Sequence, residues 1–243
     1  MRSVAYLVRH GEVEHHRTDV SITARGHEQA VAAGRAIAER VSAGDTVQVY
    51  RSTLARNVET ADSLVKGLSE SLAAKGGVTL HAPQVEEFLH NVRFALPDQP
   101  PQEPSLLYAL ISDPAYRLKL QPGQIDYYNG FYASKDPMGY WMTRDPNGWA
   151  DTTAEVWGRF RGLLARVLNG DGFQSNGNPA ARAHWIGVTH SGAMRVIIRE
   201  AFGSDPGEPD FCGIITVEPS ADPLRPTLIY RGQSVPLSLA DSA

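Results

Sequence analysis

Short apolar runs alternate along this chain with longer stretches whose apolar residues recur every three or four positions. Residues 4–8 (Val-Ala-Tyr-Leu-Val) form an unbroken apolar run of strand length, stopped by Arg9-His10-Gly11. Residues 11–22 are polar and read as a loop. A helix opens with Thr23 as its N-cap, carries Val31, Gly34, Ala38 and Val41 on one face, and ends at Ala43-Gly44-Asp45. Residues 47–50 predict a second strand. After Arg51-Ser52-Thr53 comes a second helix with Val58, Ala61, Val65 and Leu68 at helical spacing, and residues 78–81 predict a third strand. Regular patterning resumes with a helix from about Thr152 (Val156, Phe160, Leu163, Val167). A Gly/Asn-rich loop over 169–179 follows. A fourth strand over 185–189 ends at His190-Ser191-Gly192, a helix carries Met194, Ile197, Ile198 and Ala201, and residues 214–217 and 227–230 are further strands. Strands alternating with helices predict a three-layer α/β/α sandwich around a mostly parallel central sheet.

The middle breaks this pattern. Residues 91–150 are rich in proline, glycine and aromatics, with helical patches only at 106–111 and 115–120. Tyr127, Tyr128, Phe131, Tyr132, Tyr140, Trp141 and Trp149 crowd into one stretch. This segment reads as an irregular insertion within a single domain spanning 1–243. Its aromatic cluster is either a lid over a ligand or packing that anchors the insertion.

Composition removes several classes of function. With 243 residues and 42% hydrophobic positions, the chain can bury a large core without metals or disulfides. A net charge of -4, from 23 Lys+Arg against 27 Asp+Glu, gives no footprint for nucleic acid. No run approaches the ~20 apolar residues of a membrane span, and the N-terminal run is too short for a signal peptide. Cys212 is the single cysteine, so no intramolecular bridge forms. The expectation is a cytoplasmic protein with no nucleic-acid or membrane partner.

Ligands of open α/β sheets gather at strand carboxyl ends. Two such ends here carry histidines, His10 and His190, and a third leads through Arg51-Ser52 into a helix bearing Arg56. If those strands are neighbours, histidines and arginines converge in a cationic crevice suited to a phosphate. These residues also resemble a known family. Leu7-Val8-Arg9-His10-Gly11-Glu12, Ile22-Thr23-Ala24-Arg25-Gly26-His27-Glu28-Gln29-Ala30, the element running from Ser52 through Arg56 to Thr60-Ala61, and Thr189-His190-Ser191-Gly192 are similar to the ordered motifs of the histidine phosphatase superfamily, which includes the cofactor-dependent phosphoglycerate mutases. The resemblance covers about residues 4–68 and 183–203 and implies the phosphoglycerate mutase-like fold.

What the resemblance implies is a phosphomonoester hydrolase acting on a small organic phosphate. His10 of the Arg-His-Gly motif is the nucleophile and becomes a phosphohistidine. Arg9, Arg56 and His190 bind the phosphoryl oxygens. A glutamate after the third strand protonates the leaving oxygen and then activates water; Val85-Glu86-Glu87 selects Glu87, with Glu86 as the fallback. The family's other branch places an aspartate directly after the late histidine; Ser191 stands there, so that branch is set aside. His16 either contacts the phosphate or is a solvated loop residue. Thr23 contacts substrate or only caps its helix, Thr189 contacts substrate or only completes its strand, and Arg51 serves the site or the surface. Arg93, Lys119, Lys135 and Arg144 are candidates for reading further anionic groups. The scheme needs no metal and no organic cofactor. Two alternatives stand beside it, a phosphoglycerate-type mutase and a non-catalytic phospho-ligand binder. Assembly is open, a homodimer among the forms the resemblance allows.

Overall fold

The structure is a computed structural model describing residues 2–171 and 181–240. In chain order, β1 (Arg2–Arg9) leads to α1 (Ala24–Ala38), β2 (Thr46–Arg51), α2 (Ala55–Leu72) and the short β3 (Thr79–Leu80) and β4 (Gln84–Val85). A 3-10 turn at Glu87–Leu89 precedes the hairpin of β5 (Phe94–Leu96) and β6 (Gln99–Gln102). Then come α3 (Pro104–Ser112), α4 (Pro114–Arg117), α5 (Pro122–Ala133), α6 (Pro137–Thr143) and α7 (Thr153–Leu168). The chain finishes with β7 (Arg182–Thr189), α8 (Ser191–Phe202), β8 (Ile214–Glu218), β9 (Thr227–Tyr230) and β10 (Gln233–Pro236).

The main sheet has eight strands in the order β10-β9-β8-β1-β7-β2-β3, with β4 also paired to β2. β1, β7, β2, β3 and β4 run parallel, and β8, β9 and β10 extend one edge antiparallel. The expected three-layer architecture is therefore observed. Side chains alternate along β1 as the pleat demands. Val4, Tyr6 and Val8 bury toward α1 and α2, against Ala30, Ile37, Leu64 and Leu68. Ala5 and Leu7 bury on the other face, with Val156 and Phe160 of α7 and Met194 and Ile197 of α8. Each such large side chain, fully buried, stabilises the fold by ~1.5–3 kcal/mol.

Local chemistry sets the helix ends. Thr23 caps α1, accepting from Gly26 N at 3.0 Å. Thr152 and Glu155 form a reciprocal capping box on α7. α1 and α2 cross where Gly34 faces the Leu64 carbonyl and Gly67 faces the Val31 carbonyl; a Cβ at either glycine would collide with that backbone.

The middle segment departs from expectation. It is a hairpin and four helices, not an irregular loop, and α3, α4, α5 and α6 each begin with proline. Proline suits the first helical position, where its missing N–H has no intrahelical partner to lose. The aromatic cluster is mostly packing. Phe94 of β5 stands edge-on to Phe131 and Tyr128, with ring centroids 4.9 and 5.5 Å apart. Trp141 Nε1 donates to the Asp151 carbonyl at 2.7 Å. The third strand expected over 78–81 is split into β3 and β4, and the loop expected over 169–179 lies outside the described residues beyond 171. Among the described residues no helix is long and apolar enough to cross a membrane.

Candidate active site

The sheet register assembles the site. Arg9 pairs with Thr189 across β1 and β7, and Arg51 pairs with Val188 across β2 and β7. His10, Ser52 and His190 therefore leave adjacent parallel strands side by side, and His10 N donates to the Thr189 carbonyl at 3.0 Å. The rings of His10 and His190 lie 5.5 Å apart, edge to face. Arg56 enters from the first turn of α2, whose start is tied to β7 by Asn57 Nδ2 donating to the Val188 and Thr189 carbonyls.

The conspicuous sequence elements serve as scaffolding for the His10 loop. Gly11 N donates to Thr60 Oγ1 at 2.8 Å, and that hydroxyl donates to the Arg56 carbonyl at 2.6 Å. Gln29 Oε1 accepts from Glu12 N at 3.1 Å. Gly11 and Gly26 approach so closely that a Cβ on Gly11 would sit 2.8 Å from the Gly26 carbonyl oxygen. The spacing of the second motif is thus a cradle for the first.

A cavity of about 630 Å³ opens at this end of the sheet, and His10, Arg9, Arg56, His190 and His16 all line it. His10 is 2% exposed, and its Nδ1 lies 2.9 Å from the Gly11 carbonyl. A carbonyl only accepts, so Nδ1 carries the proton and the lone pair is on Nε2. Burial, then the Arg56 and Arg9 cations, hold the His10 pKa well below 6.5. The same burial and Arg56 depress His190. His16 stands at the rim, partly open to solvent; the wall behind it, then Arg56 and Arg9, lower its pKa to about 4.

Both arginines are held by carboxylates. Arg9 Nη2 lies 2.8 Å from Glu208 Oε1, and its guanidinium stacks 4.1 Å over the Phe211 ring. Arg56 Nη1 donates to Ser105 Oγ at 3.2 Å and lies 3.7 Å from Asp19 Oδ1.

The carboxylate beside the histidines is not the one the sequence suggested. Glu87 is exposed on its 3-10 turn and lines a separate cleft with Arg93, Asp151 and Arg159. Glu86 caps the same turn through Phe88 N at 3.2 Å and lies 3.7 Å from Arg166. The cause is the turn itself, which points Leu89 into the core and sends Glu87 outward. Glu103, which precedes α3, takes the inner place. Its Oε2 is 3.4 Å from His190 Nε2 and accepts from Asn91 N at 3.2 Å. Burial raises the Glu103 pKa above 4.5, outweighing the opposing pull of Arg56 and the Asn91 N–H. Ser52 Oγ lies 3.2 Å from the same His190 nitrogen.

For Thr23 and Thr189, each open between a substrate contact and a scaffold role, the contacts are those of the scaffold. Thr23 is the α1 cap and donates to Glu12 Oε1 at 3.1 Å, and Thr189 is fully buried, donating to the Leu89 carbonyl at 2.9 Å. Arg51 donates to the Ser52 carbonyl at 3.3 Å. None of the three lines the cavity. Glu103, Ser105 and Phe211 escaped the sequence reading. Ser52 was legible as the first residue of its motif, but Glu103 sits in a proline-rich run with no distinguishing signal. Among the described residues no group of three or more His, Cys, Asp or Glu side chains has the arrangement of a metal site.

Fold and site define an α/β protein with a mostly parallel sheet and paired histidines and arginines at its strand ends. Residues 5–77 match the model of the histidine phosphatase superfamily (branch 1), so the resemblance carried by the first motifs holds there. A search of curated proteins returns no match. Among solved structures, mycobacterial hydrolase 1 is similar at 18% identity, over 95% of this chain and 98% of that one, with a TM-score of 0.55. A mycobacterial glucosyl-3-phosphoglycerate phosphatase complexed with VO3 is 18% identical over 94% and 97%, with a TM-score of 0.53. A phosphoglycerate mutase from Bacillus anthracis is 13% identical over 97% and 92%, with a TM-score of 0.51. At these identities the likeness is one of fold.

Proposed function

We propose that the protein is a phosphomonoester hydrolase that works through a phosphohistidine on His10. The observation that carries this reading is the unprotonated His10 Nε2, fixed by the Nδ1–Gly11 contact in a cavity it shares with Arg9, Arg56 and His190. His10 Nε2 attacks phosphorus in line, the ester P–O bond breaks, and the phosphoryl group passes to the ring. Arg9, Arg56 and His190 stabilise the charge on the transferring oxygens.

Glu103 replaces Glu87 in the proton step. Its raised pKa suits a carboxyl group that donates a proton to the leaving alkoxide. Once ionised, the same group takes a proton from the water that attacks phosphohistidine, releasing inorganic phosphate and restoring His10. Glu103 does not itself line the cavity but lies 3.4 Å from Nε2 of His190, which does, and this contact is its link to the leaving oxygen.

The test is phosphate release from p-nitrophenyl phosphate by wild type and His10→Ala. Release by the wild type that is lost in the variant is expected. No release, with no acid-labile phosphoprotein, refutes the proposal. A phosphoenzyme that turns over only when a glycerate or sugar acceptor is supplied points to a mutase instead.

A further inference from the structure

We propose that the alcohol carried by the substrate has a flat, apolar body and a second anionic group that reaches Arg17 and Lys135. This rests on the hydrolase reading above and deepens it. Beyond the histidines and arginines, Pro104, Phe131, Tyr132, Pro137, Met138 and Phe211 give the cavity an apolar face. Phe131 and Met138 are buried. Tyr132 spends its hydroxyl on the Pro104 carbonyl at 2.5 Å, so what it leaves for a ligand is its ring. Phe211 is clamped under Arg9 and lies parallel to the His16 ring, at 5°. At about 630 Å³ the space exceeds what a phosphate fills and suits an organic group of drug-like size.

The carboxylates at this wall are engaged by arginines. Asp136 is held by Arg195, with Nη2 to Oδ2 at 2.9 Å. Glu208 is shared between Arg9 at 2.8 Å and Arg195 at 3.5 Å. The cations of the rim are in the opposite state. Arg17 and Lys135 line the cavity, and among the described residues neither has a carboxylate partner. Arg17 is positioned by the Tyr108 ring, 5.4 Å from its guanidinium carbon. Lys135 is exposed at the rim, next in sequence to Asp136, which Arg195 ties to α8. Two available cations beside an apolar wall, with the carboxylates already committed, fit an anionic substituent on a hydrophobic alcohol.

The experiment compares kcat/KM for ethyl, benzyl and 4-carboxybenzyl phosphate, all esters of simple primary alcohols. Benzyl should exceed ethyl by about tenfold through burial of the ring. The carboxylate should add a further several-fold, about what a partly exposed ion pair supplies. The Arg17→Met/Lys135→Met double variant should bring the 4-carboxybenzyl-to-benzyl ratio to about one while keeping the benzyl-to-ethyl ratio. Equal rates for ethyl and benzyl, with His10-dependent hydrolysis intact, overturn this proposal and leave the hydrolase reading standing. If wild type hydrolyses no ester, the hydrolase reading fails, and calorimetry with benzylphosphonate and ethylphosphonate decides the pocket: tighter binding of benzylphosphonate supports it, and equal binding overturns it.

Discussion

His10 donates from Nδ1 to the Gly11 carbonyl, which leaves Nε2 as the only ring atom with a lone pair to offer phosphorus. Burial first, and then the arginines that would hold the phosphate, keep this imidazole neutral, so binding charge and part of the nucleophile's activation come from the same side chains. Glu103 faces the opposite requirement, and burial meets it by keeping its proton on above the ordinary glutamate range. Glu103→Gln should lower kcat by about 10²–10⁴-fold for alkyl esters, with a smaller loss in the first step for a nitrophenyl ester that needs no proton. Glu87→Gln should stay close to wild type; a large loss there would return the proton step to Glu87. The pH profile follows from the signs. A depressed His10 keeps the nucleophile available in acid, and a raised Glu103 loses its proton as pH climbs, so kcat for alkyl esters falls on the alkaline side. Steady-state profiles of wild type and Glu103→Gln check this, since the variant should lack that limb.

At the scale of elements, the crossing of α1 and α2 gives a test in which two effects oppose each other. Helix propensity alone says Gly34→Ala stabilises by ~1 kcal/mol. The Leu64 carbonyl in the path of the new Cβ says the helices must separate, at a cost of about 1–3 kcal/mol. Packing against rigid backbone should win, and denaturant unfolding of Gly34→Ala should show a net loss. Arg195 joins α8, the N-cap of α6 and the loop after α8 by binding Asp136, Asp205 and Glu208. Arg195→Met frees carboxylates that are themselves partly exposed, so the loss should be about 1–3 kcal/mol, below that of a fully buried pair. Because the same tie sets the cavity wall, KM should rise more than kcat falls. α1, α2 and α7 were legible because each buries a single face, and β1 because an unbroken apolar run of strand length is buried on both faces of the sheet. The insertion was not. α5 buries Tyr127, Tyr128 and Phe131 and leaves Ile125 and Tyr132 packed at its flanks, so no stripe stands out. Four of the insertion's prolines, at 104, 114, 122 and 137, begin helices, where a proline-rich composition alone suggests irregular chain. Glu87 was misplaced for a related reason: a motif spacing fixes a position along the chain, but the 3-10 turn decides which way that position faces.

Across the whole molecule, a net charge of -4 coexists with a cationic cavity, and the difference is one of placement. That placement has a cost in acid. His10, His190 and His184 are buried and held neutral below 6.5, chiefly by desolvation, and His90 is lowered to about 3. In the unfolded chain each regains its ordinary pKa and takes up a proton first as pH falls. Stability is therefore full above 6.5 and declines below it, each group adding up to about 1.4 kcal/mol per pH unit. Asp45, held low by the Arg182 and Ser42 N–H groups, adds to the loss only at still lower pH. Thermal melts should show Tm level above neutrality and falling steadily toward about pH 5. A Tm unchanged across that range would contradict the buried neutral histidines.

In the proposed reaction His10 carries the phosphoryl group between ester and water. Rapid acid-free quenching during turnover of a phosphate ester, followed by peptide mass spectrometry, reads it directly. One acid-labile phosphoryl group is expected on the peptide containing His10, formed at the rate of turnover or faster and absent in His10→Ala. Steady release of phosphate with no modified His10, or with the label on another residue, would contradict it.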